Sequence, residues 1–325
     1  MADSCHATVV KTPEVLPNGV LVTAIAMNYE LKSLHLIINP NAGTRQGRRF
    51  LPEMISVFNK AGYLCSVYVT EKRGDAVDFA RAHAGEADLV VACGGDGTLN
   101  EVITGLQQGG HRTPLGYIPC GSTNDFASGL ELPLAPLLAC DSIVFGNPRS
   151  LDVGLFGSDR YFSYTASFGA FTSVSWSTPQ NVKNVIGHAA YILEGIRSLA
   201  DIHPIHMKVT ADGQEYEDDY IFGAVCNSTS LGGVLKLDDN EVHMSDGLFE
   251  ALLIPFPPDL LVLNRILSAL RTRHYDDPSL LFLRASKFSF TGASDIKWTL
   301  DGEEAEGAPV IEIRNIHNAV SLICR

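Results

Sequence analysis

The run Leu89-Val90-Val91-Ala92-Cys93-Gly94-Gly95-Asp96-Gly97-Thr98-Leu99-Asn100-Glu101-Val102 constrains this chain more than any other stretch. A short apolar segment reads as a buried strand and stops at three glycines within four positions. Leu99, Val102, Ile103 and Leu106 then repeat at the i, i+3, i+4, i+7 spacing of one helix face. Thr98 and Glu101 stand at capping-box spacing, which predicts a helix start at Thr98. In a strand, glycine turn and helix N-terminus, backbone N–H groups can approach a phosphate and the helix dipole favours its charge. The same pattern serves equally as an ordinary strand-to-helix turn, and at this point both readings stand.

Two standard phosphate loops fit badly. The chain contains no G-x-x-x-x-G-K-[ST] segment, which argues against a Walker-type site. A dinucleotide fingerprint would need glycine at position 100, where Asn100 stands. Other segments must therefore identify the loop.

The chain's 325 residues suggest two domains with a core each. A formal charge of -13 argues against a nucleic-acid partner, because binding a phosphate backbone needs basic surface. Cys5, Cys65, Cys93, Cys120, Cys140, Cys226 and Cys324 form no C-x-x-C pair. That pattern predicts a reducing, cytoplasmic compartment and no structural zinc. His203 and His206 flank a proline, and His188 has no carboxylate in register, so no metal site is expected from them. Residues 1–33 read as a loosely attached extension or an added edge strand. The apolar run Val20 to Met27 within them is too short to span a bilayer.

Taken in order, Leu34 to Ile38 is the first predicted strand, and Asn39-Pro40-Asn41-Ala42-Gly43 follows as a tight turn. Phe50, Leu51, Met54, Ile55 and Phe58 repeat at helical spacing, with Arg45, Arg48 and Arg49 in front. Tyr63 to Val69 is the second strand, ending at Thr70. Leu115 to Pro119 runs into Cys120-Gly121-Ser122-Thr123-Asn124-Asp125, where another helix begins. Alternating strands and helices imply a parallel sheet whose ligands bind beyond the carboxyl ends of the strands. Four polar or glycine-rich loops then share one edge. From about residue 145 the texture changes to many short strands, which suggests an antiparallel sandwich. A helix over roughly 182–199 interrupts it, and Asp212-Gly213 reads as a hairpin turn.

The segments Asn39 to Gly43, Gly94 to Glu101 and Gly121 to Asp125, in that order, resemble the diacylglycerol kinase catalytic domain. That family includes soluble bacterial lipid kinases and the related sphingosine and ceramide kinases. The glycine loop is shared with NAD kinases, whereas the third loop separates lipid kinases from them. The resemblance covers nearly everything after residue 33. It implies an N-terminal α/β nucleotide-binding domain over 34–145, Rossmann-like and NAD-kinase-like, with a parallel sheet. It also implies a mainly antiparallel β-sandwich over 146–325, with the active site in the cleft between them.

The same resemblance implies ATP and Mg²⁺. Asn39, Pro40, Asn41, Ala42, Gly43, Thr70, Gly94, Gly95, Asp96, Gly97, Thr98, Leu99, Asn100, Glu101 and Thr123 would contact the nucleotide. A bridging Mg²⁺ would explain an aspartate, Asp96, beside phosphates. Leu300-Asp301-Gly302-Glu303 matches the segment whose aspartate is the proposed general base, so Asp301 takes that role; as a bare sequence, Asp-Gly is also a strong hairpin turn. His243-Met244-Ser245-Asp246-Gly247-Leu248 matches a segment that holds a structural Mg²⁺ through an aspartate and two backbone oxygens, here His243, Asp246 and Leu248. Ser245 replaces an aspartate common in that family and removes one charge near the ion. The expected partner is a lipid, diacylglycerol, met transiently at a membrane surface. Another lipid acceptor, such as a sphingoid base or phosphatidylglycerol, or a soluble one such as NAD, is the alternative. The resemblance leaves a homodimer open.

Overall fold

Strands rich in β-branched and aliphatic residues on both faces need cover on both faces. A computed structural model describes residues 9–15, 21–27, 31–169, 203–227, 230–231, 235–236, 244–292 and 294–325. β1 (Val9–Val15) and β2 (Leu21–Met27) form an antiparallel hairpin with no partner in the main sheet among the described residues. Next come β3 (Lys32–Ile38), α1 (Gln46–Arg49), α2 (Leu51–Lys60), β4 (Tyr63–Val69) and α3 (Asp75–His83). β5 (Leu89–Gly94), α4 (Asp96–Gly109), β6 (Leu115–Pro119), α5 (Asp125–Gly129) and α6 (Pro136–Val144) complete the α/β half.

The strand order is β4-β3-β5-β6, all parallel. Side chains alternate across this sheet with period two. Leu36, Ile38, Val91 and Cys93 pack under α2 and α6 against Met54, Phe58 and Ile143. Ile37, Val90, Ala92 and Tyr117 pack on the other side, against Ala76 and Ala80 of α3 and Leu99, Val102 and Leu106 of α4. The spacing that predicted one buried face of α4 is therefore the face it buries. Two covered faces fix the register, because slipping by one residue would exchange the two sets. The loops after β3, β5 and β6 come out at one edge as a result.

The second half comprises β7 (Asn147–Phe156), β8 (Arg160–Phe162), β9 (Thr165–Gly169), β10 (Ile205–Ala211), β11 (Gln214–Cys226), β12 (Ser230–Leu231), β13 (Leu235–Lys236) and β14 (Phe249–Pro255). α7 (Leu260–Thr272), β15 (Leu281–Ala285), β16 (Lys287–Thr291), β17 (Trp298–Leu300), β18 (Glu303–Ala305) and β19 (Val310–Cys324) follow. Pairing among these strands is antiparallel. Trp298 anchors the core, with its ring 5.2 Å from Phe156, 4.8 Å from Phe168 and 5.0 Å from Phe290. The helix expected over 182–199 lies outside the described residues.

One difference from expectation ties the halves together. Two short strands are expected over 310–313 and 320–323. They are a single strand, β19, bent by a register shift between Ile316 and Val320, with Asn318 at φ 51°. Its last residues turn back to the first half, where Leu322 pairs in parallel with Leu115 of β6. Ala319, Val320 and Leu322 join Leu151 and Val153 of β7 in the core beneath α4. β7 and β19 thus cross the division expected near residue 145.

Candidate active site

The ends of β3, β5 and β6 are tied to one another: Asn39 N donates to Cys93 O at 2.9 Å and Cys120 N to Gly94 O at 2.7 Å. Beyond those ties the three loops pack glycine on glycine. A Cβ at Gly121 would lie 2.5 Å from the Cα of Gly95. One at Gly43, where φ is +49°, would lie 2.5 Å from Cys120 O and 2.7 Å from Gly121 O. Gly97 is different. It lies in the first turn of α4 without positive φ, and a Cβ there would meet Glu303 Oε1 at 3.4 Å. The glycines thus do two jobs: some let loops touch, and Gly97 leaves the helix N-terminus open toward Glu303.

Side chains lock this arrangement. Asn124, at φ 52°, accepts from Gly121 N at 2.9 Å and donates to Gly121 O at 3.2 Å. The Asp96 carboxylate accepts from Asp125 N at 3.0 Å, Phe126 N at 3.2 Å and Thr123 Oγ1 at 3.5 Å. It therefore caps α5 from the start of α4, which gives a structural reason for an aspartate in this glycine loop. Burial pushes its carboxyl up from the ordinary value, against the pull of those donors. Asn39 Nδ2 donates to Thr98 Oγ1 at 3.4 Å, and Asn39 Oδ1 accepts from Asn41 N at 3.0 Å. Pro40 and Ala42 belong to the same turn, closed by Ala42 N donating to Asn39 O at 3.3 Å. Thr70, buried at the end of β4, donates through its backbone to Ile38 O at 2.9 Å.

Several expectations need correction. α4 begins at Asp96, not Thr98, with Gly95 as its N-cap and no side-chain cap. Glu101 accepts from Gly74 N at 2.9 Å and so fastens the start of α3 instead of closing a capping box. Leu99 is buried in the core, and Asn100 Nδ2 donates to Tyr161 O at 3.2 Å in the second half. The side chains of Leu99, Asn100 and Glu101 are therefore engaged within the fold.

Across the cleft, Asp301 and Gly302 both take positive φ, 49° and 84°, and join β17 to β18 with Leu300 opposite Glu303. This is the tight hairpin that Asp-Gly predicts. Asp301 is only 6 % exposed. Its carboxylate accepts from Ser163 N at 2.5 Å, Tyr164 N at 3.0 Å and Thr165 N at 2.9 Å. Burial pushes its carboxyl up to about 7, and the negative charge of Asp96 adds to the rise. Two carboxylates from different halves of the chain therefore feel each other across the site.

Two residues escaped the sequence reading. Glu303 Oε2 accepts from Arg73 Nη2 at 2.5 Å, joining the β4–α3 loop to the hairpin. Glu303 closes the segment Leu300-Asp301-Gly302-Glu303, and a two-residue hairpin brings the residue after the turn back to the same edge. Arg73 had no local signal, because its partner is 230 positions away.

The turn expected to hold Mg²⁺ is otherwise occupied. His243 lies outside the described residues. Asp246 Oδ1 accepts from Leu248 N at 2.9 Å, and Oδ2 accepts from Arg284 Nη2 at 2.7 Å. Leu248 O accepts from Asn315 Nδ2 at 3.2 Å. Arg284 Nε also donates to Glu250 at 3.1 Å, and burial pushes that carboxyl up to about 7 in spite of the guanidinium. A resident Mg²⁺ does not fit these donors as they stand, because a guanidinium already holds the aspartate. Among the described residues no group of three or more His, Cys, Asp or Glu side chains could hold a metal ion.

Comparison with known proteins places this geometry. Residues 33–156 match the diacylglycerol kinase catalytic domain, and residues 167–324 match the YegS C-terminal NAD kinase beta sandwich-like domain. A diacylglycerol kinase of Staphylococcus aureus is 33% identical over 274 residues, covering 84% of this chain and 86% of that protein. One from Bacillus subtilis is 32% identical over 276 residues, covering 84% and 90%. A crystal structure of a diacylglycerol kinase from Bacillus anthracis has the same fold, with a TM-score of 0.70 at 21% identity over 91% of this chain and 98% of that one. This chain is a member of the diacylglycerol kinase catalytic-domain family.

Proposed function

We propose that the chain is an ATP-dependent lipid kinase that transfers the γ-phosphoryl group of ATP to the hydroxyl of diacylglycerol, giving phosphatidic acid. One observation carries this reading: three glycine loops meet at a single strand edge, facing the Asp301–Glu303 hairpin of the other half. The names of the curated relatives support the acceptor. Phosphoryl transfer asks for positioning, charge neutralisation and a proton acceptor. Backbone N–H groups of Gly94 to Thr98 and the N-terminus of the 14-residue α4 supply the first. The carboxylate oxygens of Asp96 are hard donors that fit Mg²⁺ arriving on the nucleotide, and the ion would neutralise charge on the phosphates.

Asp301 is the proton acceptor in this reading. Its carboxyl, pushed up to about 7, is matched to a neutral working pH. Its three backbone donors leave roughly one of about four lone-pair sites for the acceptor hydroxyl. A second reading gives the proton to Glu303, because that carboxylate, not Asp301, stands beside Gly97. ATP hydrolysis and lipid phosphorylation measured with and without dispersed diacylglycerol test the function. Label from γ-phosphate should appear in the lipid. Transfer to NAD or to a sphingoid base in preference to diacylglycerol would replace the acceptor, and no transfer at all would remove the reading.

A further inference from the structure

The loop between β4 and α3 is built as a fixed mount for the Arg73 guanidinium. Glu71 N and Lys72 N donate to Asp75 Oδ2 at 2.8 and 2.9 Å, and Gly74 N donates to Glu101 at 2.9 Å. The backbone on both sides of Arg73 is thereby held. Its side chain, 71% exposed, leaves the loop and crosses to Glu303 in the other half. Glu303 presents its second oxygen to Gly97, 3.4 Å from where a Cβ would stand. Burial pushes the Glu101 carboxyl up, and the charges of Glu303 and Arg73 also reach it, with opposite signs, from beside the first turns of α4.

The arrangement puts a carboxylate where an anion belongs. The α4 N-terminus and its free N–H groups favour negative charge, and Glu303 supplies one from across the cleft. We propose that Glu303 is a placeholder and that Arg73 binds the terminal phosphate of ATP: the nucleotide displaces the Glu303 carboxylate and takes over its guanidinium. An exposed ion pair adds little, whereas a guanidinium meets a phosphate through two parallel hydrogen bonds. The exchange therefore runs toward phosphate. It also brings a cation to a site crowded by Asp96, Glu101 and Asp301, where charge develops on the transferring group. In the transfer itself the bond from γ-phosphorus to the β–γ bridging oxygen breaks, and the bond to the lipid oxygen forms. The lipid proton goes to a carboxylate of the hairpin, and Arg73 stays on the transferred group.

This inference rests on the kinase reading above, and the test separates the two. Binding of ADP and of a non-hydrolysable ATP analogue, both with Mg²⁺, is measured by calorimetry for the full chain and for Arg73→Met, Arg73→Lys and Glu303→Gln. Melting curves show that each variant is folded. Arg73→Met should weaken the analogue about tenfold, the size of one hydrogen bond to a charged group, and leave ADP within about twofold. Arg73→Lys should fall between, since it keeps the charge without the fork. Glu303→Gln should tighten the analogue, because the competing carboxylate is gone. Transfer to diacylglycerol by Arg73→Met should fall about a hundredfold in kcat. Equal losses for ADP and analogue, or no loss for either in a wild type that phosphorylates lipid, overturn the role of Arg73 and leave the kinase reading standing. A wild type that binds neither nucleotide removes both.

Discussion

At the scale of single residues, Asp301 shows how one side chain serves two ends. It closes a hairpin at positive φ, and it buries a carboxylate under three backbone N–H groups. Asp301→Asn turns an amide N–H toward those donors and cannot accept a proton. Transfer should fall by about a hundredfold to ten-thousandfold, with ATP affinity changed only a few-fold. A folded variant keeping more than about a tenth of wild-type turnover would pass the role to Glu303. The same carboxyl has a consequence for stability. Its pKa is about 7 in the fold against 3.8 for the free side chain, so the native state binds the proton more tightly than the unfolded chain. Its contribution is fully present below about pH 4 and is lost as pH rises through about 7. Melting temperatures recorded from pH 5 to 8 should therefore fall more steeply for wild type than for Asp301→Asn, and parallel slopes would mean Asp301 is not buried as charge. Asp301 was legible because Asp-Gly is a local signal. The Arg73–Glu303 pair was not, although Glu303 directly follows that turn, because an ion pair over 230 positions leaves no mark on the neighbourhood of Arg73.

At the scale of elements, periodicity carried most of the fold. The short apolar runs of β3, β5 and β6 and the i, i+3, i+4, i+7 face of α4 both appear as read. The failures have a common cause, since each feature was settled by a distant partner. Thr98 and Glu101 have capping-box spacing, yet Glu101 is drawn to the free N–H of Gly74. β19 reads as two strands because Asn318 breaks the alternation, yet pairing with β7 on both sides of the bend makes it one. The glycines of the loops can be separated by experiment. Gly121→Ala places a methyl against the backbone of Gly95, and one loop must move, so nucleotide affinity should fall at least about tenfold. Gly97→Ala meets only a side-chain oxygen and should cost less, whereas the larger Gly97→Val should block the phosphate approach without unfolding the domain. Equal affinities for Gly121→Ala and wild type would make the loop contact incidental. The Asp246 turn offers another test. A Mg²⁺ there has to displace Arg284, so EDTA should leave the wild-type melting temperature unchanged. Arg284→Ala removes the cation from Asp246 and buried Glu250, and should make stability respond to Mg²⁺. A wild type that loses stability in EDTA would put the ion back.

At the scale of the whole molecule, the problem is reaching a lipid. No helix among the described residues is long and apolar enough to cross a membrane, and the formal charge is -13. An anionic surface repels such a chain on average, so attraction has to be local and act within a Debye length of about 10 Å. Arg45, Arg48 and Arg49 are exposed directly after Gly43, with the Arg49 guanidinium 5.3 Å from the Phe50 ring. They flank the loop that packs on Cys120 and Gly121, where a lipid hydroxyl arrives in the proposed reaction. Arg271 and Arg273 are also exposed, at the far end of α7 from the exposed Leu260 and Leu261. Thirteen residues of helix separate those ends by about 20 Å, so that basic pair and the leucines cannot act as one small patch. The cluster beside the first loop is therefore the expected contact. Each basic residue near an anionic surface contributes about 1 kcal/mol, and three give weak, reversible docking. Sedimentation with vesicles of phosphatidylglycerol, phosphatidylcholine and diacylglycerol, with ATP present, should show binding at low salt that fades at high salt. Replacing Arg45, Arg48 and Arg49 together by Ala should reduce binding more than replacing Arg271 and Arg273. The reverse ranking would move the contact to α7. Full phosphorylation of diacylglycerol without any vesicle binding at low salt would mean that the acceptor reaches the cleft by another route.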